Sequence, residues 1–328
     1  MCRFFFNWYK RMSGSGLEEE ILRMASPCTE RPLQTTPPPL LPPRYPSPPP
    51  YPPPELHLDA VVGTGKYGVV YRGRMGQRQV AIKCIPNDED CALSIERELK
   101  ALQRCSNRPH ENIAALFCKQ LLAGQTLIVT ELGTCELFTL VASEDGIEKE
   151  RLRSLGRRMS AAVCHLHSIN IAHRDIKLEN WVLHPTREIL LIDFGLSHVF
   201  ERDRSFLQEY VGTFPYCSPE ILEQKSHDPF AGDMWSMGVC YFAMSASFFP
   251  YKCADTSDSC FLCVGSAFQE TLVNEIYKFY SRDCGVDKEF AQTISALLAV
   301  TPARRPTSAE LCKCSWLQRR PVCGSLNW

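Results

Sequence analysis

The sequence predicts an α+β fold in which a small, sheet-rich lobe precedes a larger helical lobe, with a cleft between the two. Three observations predict it. Short apolar runs with strand spacing fill the first part of the globular region, and helical spacing takes over after Leu137. Gly63, Gly65 and Gly68 form a glycine turn between the first two strand signals. At 328 residues the chain has ample length for a core of this kind. Strands grouped first and helices grouped after is the pattern of segregated layers rather than of a βαβ repeat.

The elements follow in order. Residues 58–62 and 69–72 read as strands around the glycine turn, and 79–85 as a third. Residues 94–104 have helical spacing, with Ile95, Leu99 and Leu102 on one side. Residues 127–130 read as a short buried strand, and helices are expected at 147–169, 233–246, 267–281, 287–299 and 308–318. The globular domain is expected over residues 56–319, between a leader (1–55) and a short tail (320–328).

The leader has a different character. Residues 27–54 hold 14 of the 24 prolines. Proline lacks an N–H donor and fixes φ, so this stretch is expected to be disordered and to sample polyproline II. It contains a PxxPxR string, Pro39 to Arg44, and two PPxY strings ending at Tyr45 and Tyr51. Residues 39–51 are therefore candidate ligands for SH3 or WW grooves. The first twelve residues mix aromatic and basic side chains in a run too short for a signal peptide. No stretch reaches the ~18 apolar residues of a spanning helix. A net charge of −1 gives no field that would attract nucleic acid. Seventeen scattered cysteines read as reduced thiols in an intracellular setting, cytoplasm or nucleus. Cys253, Cys260 and Cys263, even with Cys284, make a poor zinc set, since a structural site needs about four ligands held together.

Several polar strings carry chemistry. Gly63-Thr-Gly65-Lys-Tyr-Gly68-Val-Val70 lies between two strands, so its glycines can bring backbone close to phosphate oxygens. A dinucleotide-binding loop would open a helix here, whereas residues 69–72 continue as strand. Lys83 ends the apolar run Val80-Ala81-Ile82 and needs an anion. Glu98 on the following helix is the best partner, with Glu96 as the fallback. Further on stand His173-Arg174-Asp175-Ile-Lys177-Leu-Glu179-Asn180 and Asp193-Phe194-Gly195. Gly212-Thr213, Ser218-Pro219-Glu220, Asp233-Met-Trp-Ser-Met-Gly238 and Arg305 complete the series.

In this order the strings resemble a eukaryotic protein kinase of the Ser/Thr type, most similar to the calmodulin-dependent and checkpoint-kinase-1-like group. The resemblance implies a bilobal kinase fold, protein substrates, and ATP with Mg²⁺ as cofactors. It implies that Asp175 accepts the hydroxyl proton, that Asn180 and Asp193 hold Mg²⁺, and that Lys177 offsets γ-phosphate charge. Lys83, paired with Glu98, would hold the α- and β-phosphates. Gly63, Gly65, Gly68, Val70, Ala81, Thr130 (the gatekeeper), Glu131 and Val182 would surround the nucleotide. Lys177 and Thr213 fit a Ser/Thr acceptor, while Glu136 and Glu179 would read Arg three residues before it. Arg305 would pair with Glu220, and Asp233 would bind catalytic-loop amides. Glu209 stands where an activating phospho-residue is usual, so it would satisfy Arg174 in place of a phosphate; Ser205 is the competing regulatory site. Leu178, Ser218 and Thr301 depart from the family's usual Pro, Ala and Asp, and the hinge is one residue short. Two other readings of the sequence are a pseudokinase scaffold and an adaptor working through its proline-rich leader.

Overall fold

Strand alternation in the first lobe produces one antiparallel sheet of five strands, in the order β1-β2-β3-β5-β4. The chain supplies β1 (Leu56–Thr64), β2 (Val69–Met75), β3 (Arg78–Pro86), helix α1 (Glu89–Asn107), β4 (Leu116–Leu122) and β5 (Gln125–Thr130). The computed structural model describes residues 54–319 apart from 66, 144–145, 203, 256–257, 266–270 and 283, and omits the side chains of 263–265. The leader motifs, the tail and the Cys263 side chain thus lie outside the described residues.

β3 is the centre of the sheet. Val80, Ile82 and Cys84 pack with Leu127 and Val129 of β5 in a buried cluster. Lys83 is carried on the same strand, pointing to the other face, as period-two alternation requires. α1 begins where Asp88 caps it, its Oδ1 accepting the Cys91 amide at 2.8 Å. Glu89 and Asp90 in the first turn suit the positive helix end. The inner face of α1 carries Ser94, Glu98, Leu99, Leu102 and Cys105.

The second lobe opens with β6 (Cys135–Glu136), α2 (Leu137–Ser143), α3 (Lys149–Ser168) and β7 (Ile171–Ala172). Then come β8 (Trp181–His184), β9 (Glu188–Leu191) and β10 (His198–Val199), forming small sheets in the orders β6-β8-β9 and β10-β7. Helices α4 (Pro219–Leu222), α5 (Pro229–Ala246), α6 (Ser259–Gly265), α7 (Leu272–Phe279), α8 (Lys288–Leu297), α9 (Ser308–Leu311) and α10 (Ser315–Gln318) finish it. The order of sheet lobe and helical lobe is the one expected. α5 is apolar nearly all round and buried along its length, as a core helix should be. No helix among the described residues is long and apolar enough to cross a membrane.

Some elements differ from expectation. β4, β8 and β9 lacked a clear signal because β4 shows no regular alternation and β8 and β9 are only four residues each. The single helix expected over 308–318 is two, since Cys314 adopts extended backbone and restarts the chain as an N-cap. Asp228 and Pro229 start α5 ahead of Asp233, with Asp228 accepting the Phe230 amide at 2.9 Å.

Two buried carboxylates tie the helical lobe together. Asp233 accepts the His173 amide at 2.8 Å and the Arg174 amide at 2.7 Å, while His167 Nε2 lies 3.0 Å away. Arg305 grips Glu220 through two nitrogens, at 2.6 and 2.8 Å, as the sequence suggested. Burial alone would raise the Glu220 carboxyl, but Arg305 holds it below the ordinary range. The pair therefore stabilises fully at neutral pH and fades only as pH falls through that lowered value. Arg305→Leu should cost about 3–5 kcal/mol in denaturant unfolding at pH 7, because it leaves a buried carboxylate unpaired. A loss under ~1 kcal/mol, the range of an exposed pair, would refute this.

Candidate active site

The cleft between the lobes is organised around Lys83. Its Nζ lies 2.7 Å from Glu98 Oε2 and 2.7 Å from Asp193 Oδ1. Glu98 is the inward residue of α1 and its side chain is 4% exposed, whereas Glu96 faces solvent. The fallback partner is therefore set aside. Burial works against the Lys83 charge, but Glu98 and Asp193 outweigh it and hold the ammonium protonated. For Asp193 burial pushes up and Lys83 pulls down, with the net result about 2. Asp193 is a carboxylate at any physiological pH, and its side chain is 43% exposed toward the cleft.

Beneath it the loop at residues 173–180 gathers a second cluster. Asp175 Oδ1 accepts the Thr213 hydroxyl at 2.7 Å, and Oδ2 lies 2.6 Å from Lys177 Nζ. Lys177 also donates to Thr213 Oγ1 at 2.8 Å. Asn180 Nδ2 donates to the Asp175 carbonyl at 2.8 Å and to Oδ2 at 3.0 Å, which leaves its amide oxygen for another partner. The Asn180 carbonyl accepts the Ile192 amide at 2.9 Å, so this loop is stitched to the strand leading into Asp193. Arg174 and Asp193 both adopt positive φ, +67° and +61°, an uncommon conformation for residues with a Cβ.

The upper wall is simpler. Ala81 pairs with Thr130 in the sheet and Val70 with Lys83, so these positions line the roof near the glycine turn. Gly65 N–H donates to the Gly68 carbonyl at 2.9 Å, closing that turn. Val182 forms the floor, pressed against Gly133: a Cβ on Gly133 would stand 2.3 Å from Val182 Cγ2. Gly63 sits at the end of β1, paired with Val70.

Outside the cleft the acidic residues divide. Glu136 is exposed on β6, its carboxyl raised by surrounding protein and opposed by Lys177. Glu179 is more enclosed, with Oε2 accepting the buried Tyr216 hydroxyl at 3.0 Å. That hydroxyl in turn accepts the Leu178 amide at 3.3 Å, a donor that the usual proline would lack. Glu209 reaches Arg174 Nη2 at 2.8 Å. It also takes Arg97 Nη2 at 2.8 and 2.9 Å on its two oxygens, a partner the sequence reading missed. Arg97 looked like one more surface charge between Glu96 and Glu98. Burial works against the Glu209 charge, but the two arginines keep its carboxyl below the ordinary range. Ser205 is exposed and makes no bond to either arginine.

Comparison with known proteins matches this arrangement to one family model, the protein kinase domain, over residues 56–317. A calcium/calmodulin-dependent protein kinase of Emericella nidulans is 30% identical over 264 residues, 78% of this chain and 61% of its own length. The serine/threonine-protein kinase SIK1 of Mus musculus is 27% identical, covering 81% of this chain and 33% of its own length. A probable serine/threonine-protein kinase, MARK-A of Dictyostelium discoideum, is 27% identical over 78% of this chain and 23% of its own length. The chain thus spans less than two thirds of these relatives.

Removing the Lys83 ammonium should be felt by the fold itself. Lys83→Met leaves Glu98 buried beside Asp193 with no cation, and should cost about 3 kcal/mol or more in unfolding free energy. Adding Glu98→Gln should recover part of the loss. A Lys83→Met protein as stable as wild type would contradict this account of the triad.

Proposed function

The chain belongs to the protein kinase family, and on that premise we propose that it transfers the γ-phosphoryl group of ATP to serine and threonine hydroxyls of proteins. The observation that carries the reading is the convergence of Lys83, Asp193, Asn180, Asp175 and Lys177 on one cleft, each already fixed by a hydrogen-bonded partner. Phosphoryl transfer asks mainly for position and for charge compensation, and this arrangement supplies both.

Asp175 orients the acceptor hydroxyl and takes its proton, its two oxygens held in place by the Thr213 hydroxyl and the Lys177 ammonium. Lys177, within reach of both, offsets charge on the transferred group. Lys83 holds the α- and β-phosphates while Glu98 fixes its aim. The donors left for a cation are the Asp193 carboxylate and the Asn180 amide oxygen, hard oxygens that suit Mg²⁺. When bound, Mg²⁺ supplies neutralisation of the phosphate oxygens. Thr130 and the Glu131–Gly133 stretch face the adenine, with Val70 and Ala81 above it and Val182 below.

Glu136 supports a preference for Arg at the third position before the acceptor. It is an exposed carboxylate within electrostatic reach of Lys177, and its ionised form a guanidinium would favour. Glu179 adds to that subsite only through the oxygen Tyr216 leaves free. Glu209 supports independence from activating phosphorylation, because it already binds Arg174 and ties α1 through Arg97.

Three measurements test this reading. Magnesium-dependent stabilisation by ATP followed by transfer to an Arg-x-x-Ser peptide is expected, and Asp193→Asn should abolish the transfer; full activity in that variant would sink the assignment. Glu136→Gln should raise the peptide KM about tenfold, the equivalent of ~1.4 kcal/mol, while leaving an Arg-free peptide unaffected. For regulation, phosphatase treatment should leave the wild-type rate within about twofold, whereas Glu209→Gln should lower it about tenfold by halving a charge-assisted contact. A phosphatase-sensitive wild type with an indifferent Glu209→Gln would instead point to Ser205.

A further inference from the structure

We propose that Arg187, in the turn between β8 and β9, is a positioning residue for the nucleotide, acting by holding the Glu131 carboxylate and through it the hinge backbone. The inference rests on the kinase reading above and names a residue that the reading does not use.

Glu131 follows Thr130 directly, yet its side chain is 11% exposed, low for a carboxylate on a connecting segment. Its Oε1 accepts a hydrogen bond from Arg187 Nη2, and His184 Nε2 lies 3.6 Å from the same oxygen. Arg187 is itself held from two sides. Its carbonyl accepts Asn112 Nδ2 at 3.0 Å, and its Nη1 donates to the Glu111 carbonyl at 3.3 Å. One guanidinium therefore joins the hinge, the connection between α1 and β4, and the β8–β9 turn. Exposed ion pairs contribute little, but here the acid is nearly enclosed and the base is fixed in advance.

The consequence falls on backbone. The Glu131 amide donates to the Ala115 carbonyl at 3.1 Å, and the Thr134 amide to the Leu183 carbonyl at 2.8 Å. Between these anchors the Glu131 carbonyl and the Gly133 amide make no backbone hydrogen bond among the described residues, so both can meet the edge of a base. Gly133 has no slack beneath it, because Val182 occupies the space a side chain would need. Without Arg187 the Glu131 carboxylate keeps the Ala115 amide at 3.5 Å and a histidine that is a cation only when protonated. It would then turn toward water and rotate the peptide carrying the base-facing carbonyl.

The test uses the full chain, a fluorescent ATP analogue with Mg²⁺, and Arg187→Met, Arg187→Lys and Glu131→Gln variants. Arg187→Met is expected to raise the nucleotide Kd and the ATP KM together, about tenfold, with kcat within about twofold of wild type. Arg187→Lys should recover much of the affinity. Glu131→Gln should weaken binding similarly, and the double variant should be no worse than either single one, because both remove the same contact. A nucleotide Kd unchanged in Arg187→Met overturns the proposal, as does a fall in kcat alone or a double variant whose losses multiply. A lowered melting temperature of the nucleotide-free protein with unmoved Kd would assign the pair to stability instead, and also overturns it. If Arg187→Met does not fold, Glu131→Gln carries the test by the same criteria. Wild-type protein that fails to bind the analogue would bring down the kinase reading and this inference with it; wild type and Arg187→Met binding equally well would remove the inference alone.

Discussion

An ammonium group placed inside a protein needs counter-charge, and Lys83 obtains it from two separate parts of the chain. Taking such an ion out of water costs several kcal/mol, so neither carboxylate is optional. Glu98 comes from α1 and Asp193 from the connection after β9, and each lies 2.7 Å from the same nitrogen. The position of the helix and that of the Asp193-Phe194-Gly195 turn are thereby made conditional on a single point of the sheet. Gly195 illustrates how close the approach is: a Cβ there would stand 2.7 Å from Ser94 Oγ, one turn before Glu98 on the same helix face. The rotational setting of α1 that aims Glu98 inward also aims its neighbour Arg97 sideways to Glu209, since adjacent helical residues diverge by about 100°. One helix orientation thus satisfies Lys83 and Glu209 at once.

The lower half of the cleft has a different anchor. Arg174 and Asp193 hold left-handed backbone that side chains with a Cβ rarely adopt, and such conformations persist where surroundings over-determine them. Asp233 does this for the loop at His173 and Arg174. It projects from a helix buried nearly all round and captures two consecutive amides. The cost of burying that carboxylate is offset by charge-assisted bonds, and the loop it fixes carries Asp175, Lys177 and Asn180.

Much of this was legible in the sequence, for identifiable reasons. Lys83 at the end of an apolar strand declared its need for an anion, and Glu98 was the favoured partner. Glu96 was set aside only once the fold showed which of the two is buried. Strand spacing first and helical spacing after Leu137 predicted the two lobes. What stayed hidden involves contacts between residues distant in the chain and ordinary in composition. Arg97 sits in a charged helical stretch and Arg187 in a turn, and both read as solvated surface until Glu209 and Glu131 are brought to them by the fold. The Tyr216 hydroxyl linking Glu179 to the Leu178 amide was likewise invisible, although the absence of proline at 178 was the available clue. β4, β8 and β9 carry little alternation because their neighbours, not their own pattern, decide their burial.

On the proposed reading Glu209 stands where a phosphate would act, and the two groups differ in their chemistry. A phosphate brings close to two negative charges and three acceptor oxygens, and its second ionisation near pH 6 makes it sensitive to acid. Glu209 brings one charge, held below the ordinary carboxylate range by Arg174 and Arg97, so the contact is lost only as pH falls through that lowered value. Its two oxygens are shared between two arginines, and Arg174 keeps Nε and Nη1 without a partner among the described residues. Because burial disfavours that guanidinium, each unmade bond is a real deficit rather than a neutral one. The arrangement therefore exchanges strength for permanence. A phosphate would satisfy more of Arg174 but would have to be added and could be removed, whereas the glutamate is present as soon as the chain folds.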